Sequence, residues 1–445
     1  MVILTLNCGS SSAKFQVYDW SQKTVLGSGM VERIGQPNSR IEFSAKDKEE
    51  FEAQKPCPTH IEAIRLIMDT IVDPKLGCIA SMDEVKAVGH RMLHGGEKFK
   101  KSVLIDEKTL NEFKGLIPLG PLHMPANIQG VEAAQKVLPN IPHCAVMDTA
   151  GHQTMEPSAF MYALPYDWYT KYNIRRYGFH GTSFLYTAKR AAVLLGKDPK
   201  ETNIIIAHIG NGASMCAVKN GVCVDTSMGL TPLEGLMMGT RCGDIDPAIV
   251  PIMMENLGCN AKEMDAVLNK SSGVLGVSGK YSDRRDVQAG VDAGDERAKL
   301  ILEMETYRIK KYIGSYMAAL GRVDAIVFTA GVGEMNPTYR AGSVSGLEGF
   351  GIKLDPEKNR LSKLRAAETV ISADDSAVKI FVIPTDEELV MTEDTYALMQ
   401  GTYDVHTNFT YSFQSKDYVN KDRMRKLEAK LAENPQLERI IAKPQ

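Results

Sequence analysis

The sequence predicts an α/β protein with two related halves, and three observations indicate this. Short runs of branched apolar residues, typical of buried strands, alternate along the chain with segments of helical periodicity. One local pattern, an apolar strand that leads into a polar hairpin rich in glycine, serine and asparagine, occurs twice. The 445 residues also exceed what one hydrophobic core usually organises, so we expect two domains.

The composition indicates a globular protein whose partners are small molecules or a second copy of the chain. Hydrophobic residues make up 44%, charged residues 24%, and the formal net charge is -3, which does not favour nucleic acid or an anionic membrane. No apolar run has the length of a membrane span, and the apolar start lacks the features of a signal peptide, so we expect a cytoplasmic protein. The eight cysteines contain no CxxC pair, which favours reduced thiols over zinc or disulfides.

The first copy of the repeated pattern opens the chain. Residues 2 to 6 predict a strand, and the following NCGSSSAKF predicts a hairpin that can hold phosphate. Glycine permits a tight turn, and the short hydroxyls and backbone N–H groups of the hairpin can face an anion. Asn7 can reach the water shell of a metal, and Lys14 adds positive charge. The alternative is an ordinary serine-rich hairpin.

The second copy lies in the middle of the chain. Residues 203 to 209 predict a strand, a Gly/Asn/Ser hairpin follows, and a second strand runs to Val218. A third segment, residues 325 to 330, predicts a strand that ends in Gly331 and Gly333 before a helix, where backbone can approach a nucleotide. The chain has no Walker loop, GxGxxG fingerprint or HRD catalytic loop, so nucleotide binding would use a different fold.

The last segment, from Gly401, is charged and aromatic and contains none of these motifs. Residues 422 to 433 predict an amphipathic helix with Met424, Leu427 and Leu431 on one stripe. Because so short a helix is marginal alone, we expect a docked structural extension rather than a disordered tail. The aromatic residues that would anchor it are Tyr403, Phe409, Tyr411, Phe413 and Tyr418.

Nine motifs, in order over residues 1 to about 400, resemble the acetate kinase family: NCGSSSAKF (7–15), GHRMLHGGE (89–97), PLHMPAN (121–127), AVMDTA (145–150), RRYGFHGTS (175–183), HIGNGAS (208–214), DTSMGLTPLEGLMMGTRCGDIDP (225–247), FTAGVGE (328–334) and PTDEEL (384–389). The resemblance implies two duplicated ribonuclease-H-like domains of the actin, sugar-kinase and heat-shock ATPase type, with the active site in the cleft between them. The first domain would comprise residues 1–150 and about 386–400, the second 151–385, followed by the 401–445 extension. The implied reaction is reversible transfer of the ATP γ-phosphoryl group to acetate, catalysed by a homodimer.

The resemblance assigns four catalytic residues, Arg91, Asp148, His180 and Arg241. An acetate carboxylate is already ionised at neutral pH, so the transfer needs charge neutralisation more than a base, and guanidinium groups suit both carboxylate and phosphoryl oxygens. His180 would stabilise the phosphoryl group, and Asp148 would orient an arginine or a magnesium-bound water. The alternatives are structural ion pairs for the arginines and a helix cap for Asp148.

The remaining assignments also follow from the resemblance. Mg²⁺, which Mn²⁺ can replace, would be held by Asn7 and Glu387, with Glu388 as the adjacent alternative, because this cation prefers few protein oxygens together with water and phosphate. The methyl end of acetate would contact Leu93, Leu122, Phe179 and Pro232, which on composition alone are core residues. The nucleotide-binding residues would be Lys14, His208, Ile209, Gly210, Asn211, Gly212, Asp283, Arg284, Arg285, Gly331, Val332, Gly333, Glu334 and Met335.

The chain departs from the family pattern at four positions. Met335 and Asp386 stand where asparagine is usual, Leu230 replaces phenylalanine and Cys242 replaces serine. Two other functions stay open at this point. One is a propionate or butyrate kinase of the same family, and the other is a non-enzymatic actin-like nucleotide switch, which predicts slow ATP hydrolysis without an acyl acceptor.

Overall fold

Two β-sheets organise the chain in the computed structural model, which describes residues 1–444. Each sheet belongs to its own folding unit. Unit 1 contains Met1–Gln153, Asp386–Ser412 and Val419–Asp422, and unit 2 contains Thr154–Thr385, Phe413–Tyr418 and residues 423–444. The chain therefore leaves unit 1 after Gln153 and returns to it after Thr385, and the residues after Gly401 are divided between the units.

Unit 1 contains an eight-stranded sheet in the order β5-β4-β3-β2-β1-β6-β8-β7. Strands β1, β6 and β8 are mutually parallel, and the other neighbours are antiparallel. The strands are β1 (Val2–Cys8), β2 (Ser12–Asp19), β3 (Thr24–Glu32), β4 (Arg40–Ala45), β5 (Phe51–Gln54), β6 (Val85–Met92), β7 (Val103–Leu104) and β8 (His143–Met147).

Four helices complete unit 1: α1 (His60–Ile71), α2 (Glu107–Gly115), α3 (Met124–Val137) and, from the returning chain, α15 (Glu387–Met399). Thr59 and Glu62 form a capping box that begins α1, whose apolar face joins the core of β1 to β4. Helix α15 packs on β1, β6 and β8. A Cβ at Gly89 would lie 2.4 Å from Thr395 Oγ1, so only glycine in β6 permits this close approach.

Unit 2 repeats the design. Its six-stranded sheet has the order β11-β10-β9-β12-β14-β13, and β9, β12 and β14 are parallel. The run β11-β10-β9-β12-β14 matches β3-β2-β1-β6-β8 of unit 1 in order and direction, which confirms the duplicated α/β fold. The strands are β9 (Asn203–Ile209), β10 (Ala213–Lys219), β11 (Val222–Thr226), β12 (Ala325–Thr329), β13 (Thr369–Val370) and β14 (Lys379–Val382).

The other helices belong to unit 2, except for the first two residues of α16. The longest, α11, begins at the side-chain cap of Asp295 and packs against β9, β10 and α13. No helix in residues 1–444 combines the length and apolar character that crossing a membrane requires. The helices are α4 (Pro157–Phe160), α5 (Tyr166–Tyr172), α6 (Gly181–Leu194), α7 (Ile249–Leu257), α8 (Ala261–Lys270), α9 (Gly273–Ser278), α10 (Arg284–Asp292), α11 (Glu296–Leu320), α12 (Ala330–Met335), α13 (Pro337–Val344), α14 (Pro356–Leu361) and α16 (Lys421–Glu433).

The chain after Gly401 is packed through a few side chains. Tyr411 is buried in unit 1, while Leu437 and Ile440 join a core cluster of unit 2 together with Leu361 and Leu364. Leu427 and Leu431 of α16 pack against this cluster, but Met424, predicted on the same stripe, is 43% exposed. The apolar stripe of α16 is therefore narrower than the sequence predicts.

Candidate functional site

The unit 1 part of the candidate site lies where three parallel strands end. Because β1, β6 and β8 run in the same direction, their carboxyl ends lie at one edge of the sheet. Asn7 is the penultimate residue of β1, Arg91 that of β6, and Asp148 follows β8 directly. The backbone N–H of buried Asp148 donates to the Met92 carbonyl at 3.0 Å, which fixes it beside the end of β6.

Arg91 forms a two-pronged ion pair with Asp148. The Nε–Oδ1 distance is 2.8 Å and the Nη2–Oδ2 distance is 2.7 Å, and Nη1 lies 3.6 Å from Oε2 of Glu387. Burial by itself would lower the pKa of Arg91, but the two carboxylates outweigh it and raise this pKa. Asp148 thus orients the guanidinium group rather than capping a helix.

Glu387 is the first residue of α15 and faces this arginine. Burial raises the pKa of Glu387 to about 7, against the lowering effect of Arg91. Its Oε1 atom is buried and has no hydrogen-bond partner within residues 1–444. A carboxylate oxygen without a partner suits a hard divalent cation, and the half-buried side chain of Asn7 offers an amide oxygen at the same sheet edge. Lys14 is exposed opposite Asn7, and its charge also acts on Glu387.

Two predicted pocket residues belong to unit 1. The Leu93 backbone N–H donates to Asn127 Oδ1 at 2.8 Å, and Asn127 Nδ2 donates to the Cys8 carbonyl at 2.7 Å, which ties the end of β6 to the end of β1. The Leu93 side chain is half-buried against the cluster that contains Met92 and Phe113. Leu122 is 45% exposed. Leu93 is therefore held in place, whereas Leu122 projects into solvent.

In unit 2, two histidine rings stack beside the β9–β10 hairpin. The His180 and His208 centroids are 4.1 Å apart, with ring planes at 18°. His180 Nδ1 lies 2.7 Å from Ser214 Oγ, and His208 Nδ1 lies 2.8 Å from Ser183 Oγ. His180 has a left-handed backbone (φ 59°) directly before α6, a strained conformation of the kind found at functional sites.

Arg241 lies near His180 but has a different environment from Arg91. A Cβ at Gly212 would lie 3.5 Å from Arg241 Nη1 and 3.7 Å from His180 Nε2, so both groups border the hairpin. Arg241 Nη1 donates to the Pro232 carbonyl at 3.1 Å, and no carboxylate within residues 1–444 pairs with this guanidinium. Burial lowers the pKa of Arg241. A desolvated guanidinium without a carboxylate is suited to bind an anion.

A cleft of about 870 Å³ in unit 2 contains much of the predicted nucleotide set. The hairpin after β9, the start of α10 and the helix α12 that follows β12 all contribute to its wall. The predicted residues that line it are Gly210, Asn211, Asp283, Arg284, Arg285, Gly331, Val332 and Met335.

Other predicted nucleotide residues lie outside the lining. Ile209 and Gly333 are buried, and the Gly333 carbonyl accepts from Arg340 at 2.9 Å. Glu334 is buried, and its Oε2 lies 3.0 Å from Arg365 Nε. Burial raises the pKa of Glu334 against the opposing charge of this arginine.

Two more predicted nucleotide-binding residues already form ion pairs within the protein. Arg284 lines the cleft but is buried and donates to Glu305 Oε1 at 2.8 Å and to the Asn211 carbonyl at 3.2 Å, so its charge is largely committed within the protein. Arg285 is exposed and paired with Asp283 at 2.7 Å.

Phe179, predicted to contact acetate, is only 1% exposed.

Four residues line the cleft without having been predicted: Ser282, Gln288, Asn336 and Arg365. Asn336 begins α13 as its side-chain cap, and its position before a proline is the sequence signal for that role. Arg365 is exposed in a loop with no glycine or repeated pattern around it, so no local signal marked it. Its Nε lies 3.0 Å from Glu334 Oε2, and the preceding Leu364 belongs to a core cluster of unit 2.

The chain is similar to known proteins over most of its length. Residues 2–393 match the family model described as the acetokinase family. The chain is 59% identical to the acetate kinase of Treponema pallidum over 99% of both chains. It is 46% identical to the solved acetate kinase of Porphyromonas gingivalis, with a TM-score of 0.85, covering 89% of this chain and 99% of that one. A solved propionate kinase from Francisella tularensis is 40% identical, with a TM-score of 0.83 and the same coverage.

Proposed function

Because the chain belongs to the acetokinase family, we propose that the residues described above carry out ATP-dependent phosphorylation of acetate. The protein is an enzyme that transfers the γ-phosphoryl group of ATP to the acetate carboxylate, giving acetyl phosphate and ADP. The observation that carries the residue-level proposal is the guanidinium of Arg241, which is desolvated and has no carboxylate partner in residues 1–444. Such a group is matched to a transferring phosphoryl group.

The nucleotide occupies the unit 2 cleft. Its lining offers backbone at Gly210 and Gly331, together with the hydroxyl and amide groups of Ser282, Gln288 and Asn336. Backbone N–H groups at a glycine turn and at the start of a helix favour phosphate. Lys14, in β2 of unit 1, stays a nucleotide-binding prediction that rests on the resemblance alone.

His180 and Arg241 stabilise the phosphoryl group in transfer. Ser214 orients the His180 ring through Nδ1, which leaves Nε2 beside Gly212 and Arg241. Donors placed before the reaction stabilise developing charge without reorganisation, and in enzymes this effect is usually the largest single contribution to the rate enhancement. No general base is required, because the attacking carboxylate is already ionised.

Arg91 binds and orients the acetate carboxylate, and Asp148 holds Arg91. The two-pronged ion pair with Asp148 restrains the plane of the Arg91 guanidinium group. Its Nη1 lies 3.6 Å from Glu387, which is longer than a hydrogen bond, so Nη1 can still donate to a further acceptor. The apolar side chain of Leu93 faces the methyl group.

Mg²⁺ is the cofactor that we propose, and Mn²⁺ can replace it. Glu387 and Asn7 would hold it, since buried Oε1 of Glu387 has no hydrogen-bond partner in residues 1–444 and the donors are oxygens. When bound, the cation neutralises part of the charge on the nucleotide phosphates.

One coupled assay of ADP formation tests the function. Purified protein with Mg²⁺ and ATP is supplied with acetate, propionate, butyrate or no acceptor. We expect fast turnover with acetate. Equal or better kcat/KM for propionate would assign the chain to the propionate kinases, to one of which it is similar. ADP formation independent of any acyl acceptor would instead support the nucleotide switch.

We also propose that the enzyme is a cytoplasmic homodimer. Helix α7 has no buried residue and exposes Ile249, Ile252 and Leu257, an apolar surface suited to a second copy. ATP as substrate and eight free thiols fit a reducing cytoplasm. Light scattering of the purified protein tests the dimer, and Ile252→Lys should shift it toward monomer.

A further inference from the structure

The segment after Gly401 contacts the chain at its return from unit 2 to unit 1. Within unit 1, Asn420 Nδ2 donates to Asp386 Oδ2 at 3.0 Å. Within unit 2, Arg423 Nη1 donates to the Pro384 carbonyl at 2.8 Å and Nη2 donates to the Thr385 carbonyl at 2.7 Å. The three residues that precede Glu387 are thus all held by two side chains of this segment.

The returning segment needs such partners. Strand β14 ends at Val382 and α15 begins at Glu387, so the Pro384 and Thr385 carbonyls lie outside both the sheet and the helix. The Pro384 residue is buried, and buried carbonyls require a donor. Arg423 supplies that donor with a planar two-pronged group, which restrains two successive carbonyls at once.

Asp386 transmits this restraint to α15. Its Oδ1 accepts from the Leu389 backbone N–H at 3.1 Å, which caps the helix, while Oδ2 accepts from Asn420. One carboxylate therefore joins the C-terminal segment to the first turn of α15. Glu387, whose Oε1 has no hydrogen-bond partner in residues 1–444, is in that turn.

We propose that Asn420 and Arg423 are positioning residues for divalent-cation binding, because they hold the turn that aims Glu387. The inference rests on the proposed role of Glu387 as a magnesium ligand. It assigns a catalytic consequence to a segment that lies beyond residues 2–393, where the family model matches. The helix that contains Arg423 has no buried residue, so its hydrogen bonds can be removed without opening a core.

A charge-preserving exchange tests the Asn420–Asp386 contact in the full-length protein. Asn420→Asp places two carboxylates against each other, and Asn420→Ala removes the donor. The double variant Asp386→Asn with Asn420→Asp restores one donor and one acceptor, and asparagine still caps α15. Affinity for Mn²⁺ in the presence of ADP is measured by electron paramagnetic resonance, and the activation constant for Mg²⁺ is measured in the kinase assay.

We expect each Asn420 single variant to weaken Mn²⁺ binding by about three- to tenfold, the effect of one hydrogen bond, and the double variant to recover to within about twofold. The activation constant for Mg²⁺ should rise in parallel, with a smaller change in kcat. Arg423→Ala should weaken Mn²⁺ binding, and Arg423→Lys should lie between it and wild type. Lys426→Ala, an exposed change on the same helix, is the matched control and should bind as wild type does.

The outcomes separate this inference from the proposed function. Wild-type turnover with acetate together with unchanged Mn²⁺ affinity in the Asn420 and Arg423 variants would overturn the inference alone. The inference would also be overturned if the double variant bound Mn²⁺ as weakly as Asp386→Asn alone while Asn420→Ala bound it normally. That result would show that Asp386 acts through its charge. Absence of acetate-dependent turnover in the wild type would contradict the proposed function, while Mn²⁺ affinities would still decide the positioning role. Melting temperatures verify that each variant is folded.

Discussion

Arg91 and Arg241 have opposite electrostatic surroundings, and this predicts different consequences of removing them. Arg241→Ala should lower kcat by a factor on the order of 10³ to 10⁵, as expected for an arginine that acts on a transferring phosphoryl group. Arg91→Ala should also lower kcat by orders of magnitude, because it removes the group proposed to orient acetate. Arg91→Ala should also lower the melting temperature, because it leaves Asp148 and Glu387 without their cation. Arg241→Ala should not, since this arginine has no carboxylate partner in the described residues.

Steady-state kinetics and thermal melts of the two variants, beside the wild type, check both statements. Near-normal turnover in either folded variant would contradict the catalytic role of that arginine. Equal melting temperatures for the two variants would contradict the electrostatic distinction between them.

The preference of the enzyme for the length of the acyl chain should depend on Leu93. A leucine held beside the end of β6 would shorten the proposed acetate pocket. Because one methylene is worth roughly 1 to 3 kcal/mol in an apolar site, kcat/KM should favour acetate over propionate by about tenfold or more. Leu93→Ala should narrow that ratio by admitting propionate. Comparison of kcat/KM for the two acids checks this, and an unchanged ratio in the variant would exclude Leu93 as the determinant.

Helix α15 depends on Gly89 for its approach to β6. Gly89→Ala would place a Cβ 2.4 Å from Thr395 Oγ1, and we expect such overpacking to cost about 1 to 3 kcal/mol in the free energy of unfolding. The activation constant for Mg²⁺ should rise as well, because α15 carries Glu387. Gly115→Ala is the control, since a Cβ there meets nothing within 4 Å and helix propensity improves. Denaturant titrations distinguish the two, and a neutral Gly89→Ala would contradict the close packing.

The same helix contains a carboxyl group that makes stability depend on pH. Burial raises the pKa of Asp394 from 3.8 to about 7, although Ser102 and Tyr411 donate to it at 2.6 and 2.7 Å. The folded state therefore keeps a proton that the unfolded state releases near pH 4. This penalty is absent below pH 4, grows as the pH rises to 7, and reaches roughly 4 kcal/mol.

Asp394→Asn removes this titrating group. The free energy of unfolding of the variant should therefore increase relative to that of the wild type as the pH rises from 4.5 to 8. Denaturant titrations at several pH values provide the measurement. Parallel pH profiles for the two proteins would show that Asp394 does not retain its proton in the folded state.

Removal of the segment after Met399 should lower the thermal stability of the protein without abolishing its activity. Truncation after Met399 removes the buried side chains Tyr411, Phe413, Leu437 and Ile440, each worth about 1.5 to 3 kcal/mol before the entropy of ordering is subtracted. We expect a melting temperature lower by at least a few degrees, measurable kinase activity in the folded fraction, and weaker Mg²⁺ activation. An unchanged melting curve would show that the segment is not docked.

The duplicated fold could be predicted from the sequence because it depends on local patterns, and eight of the fourteen nucleotide residues that the family resemblance implies line the unit 2 cleft. A strand followed by a glycine hairpin specifies its own conformation within about fifteen residues, and β1–β2 and β9–β10 form as expected. The acetokinase motifs likewise lie in short contiguous segments. Met424 shows the limit of this reasoning, since helical periodicity alone cannot tell which stripe residues find a surface.

The sequence by itself determined the α/β class, the duplication and the family, since these depend on the order and spacing of neighbouring residues. Only the tertiary structure decided which charges are neutralised: that Arg91 pairs with Asp148, which is 57 positions away, that Arg241 has no carboxylate partner in residues 1–444, and that Arg284 is committed to Glu305. It also decided that Asn420 and Arg423 reach the turn before Glu387. Contacts between distant residues depend on how the sheets and helices pack, and no local pattern of side chains encodes that packing.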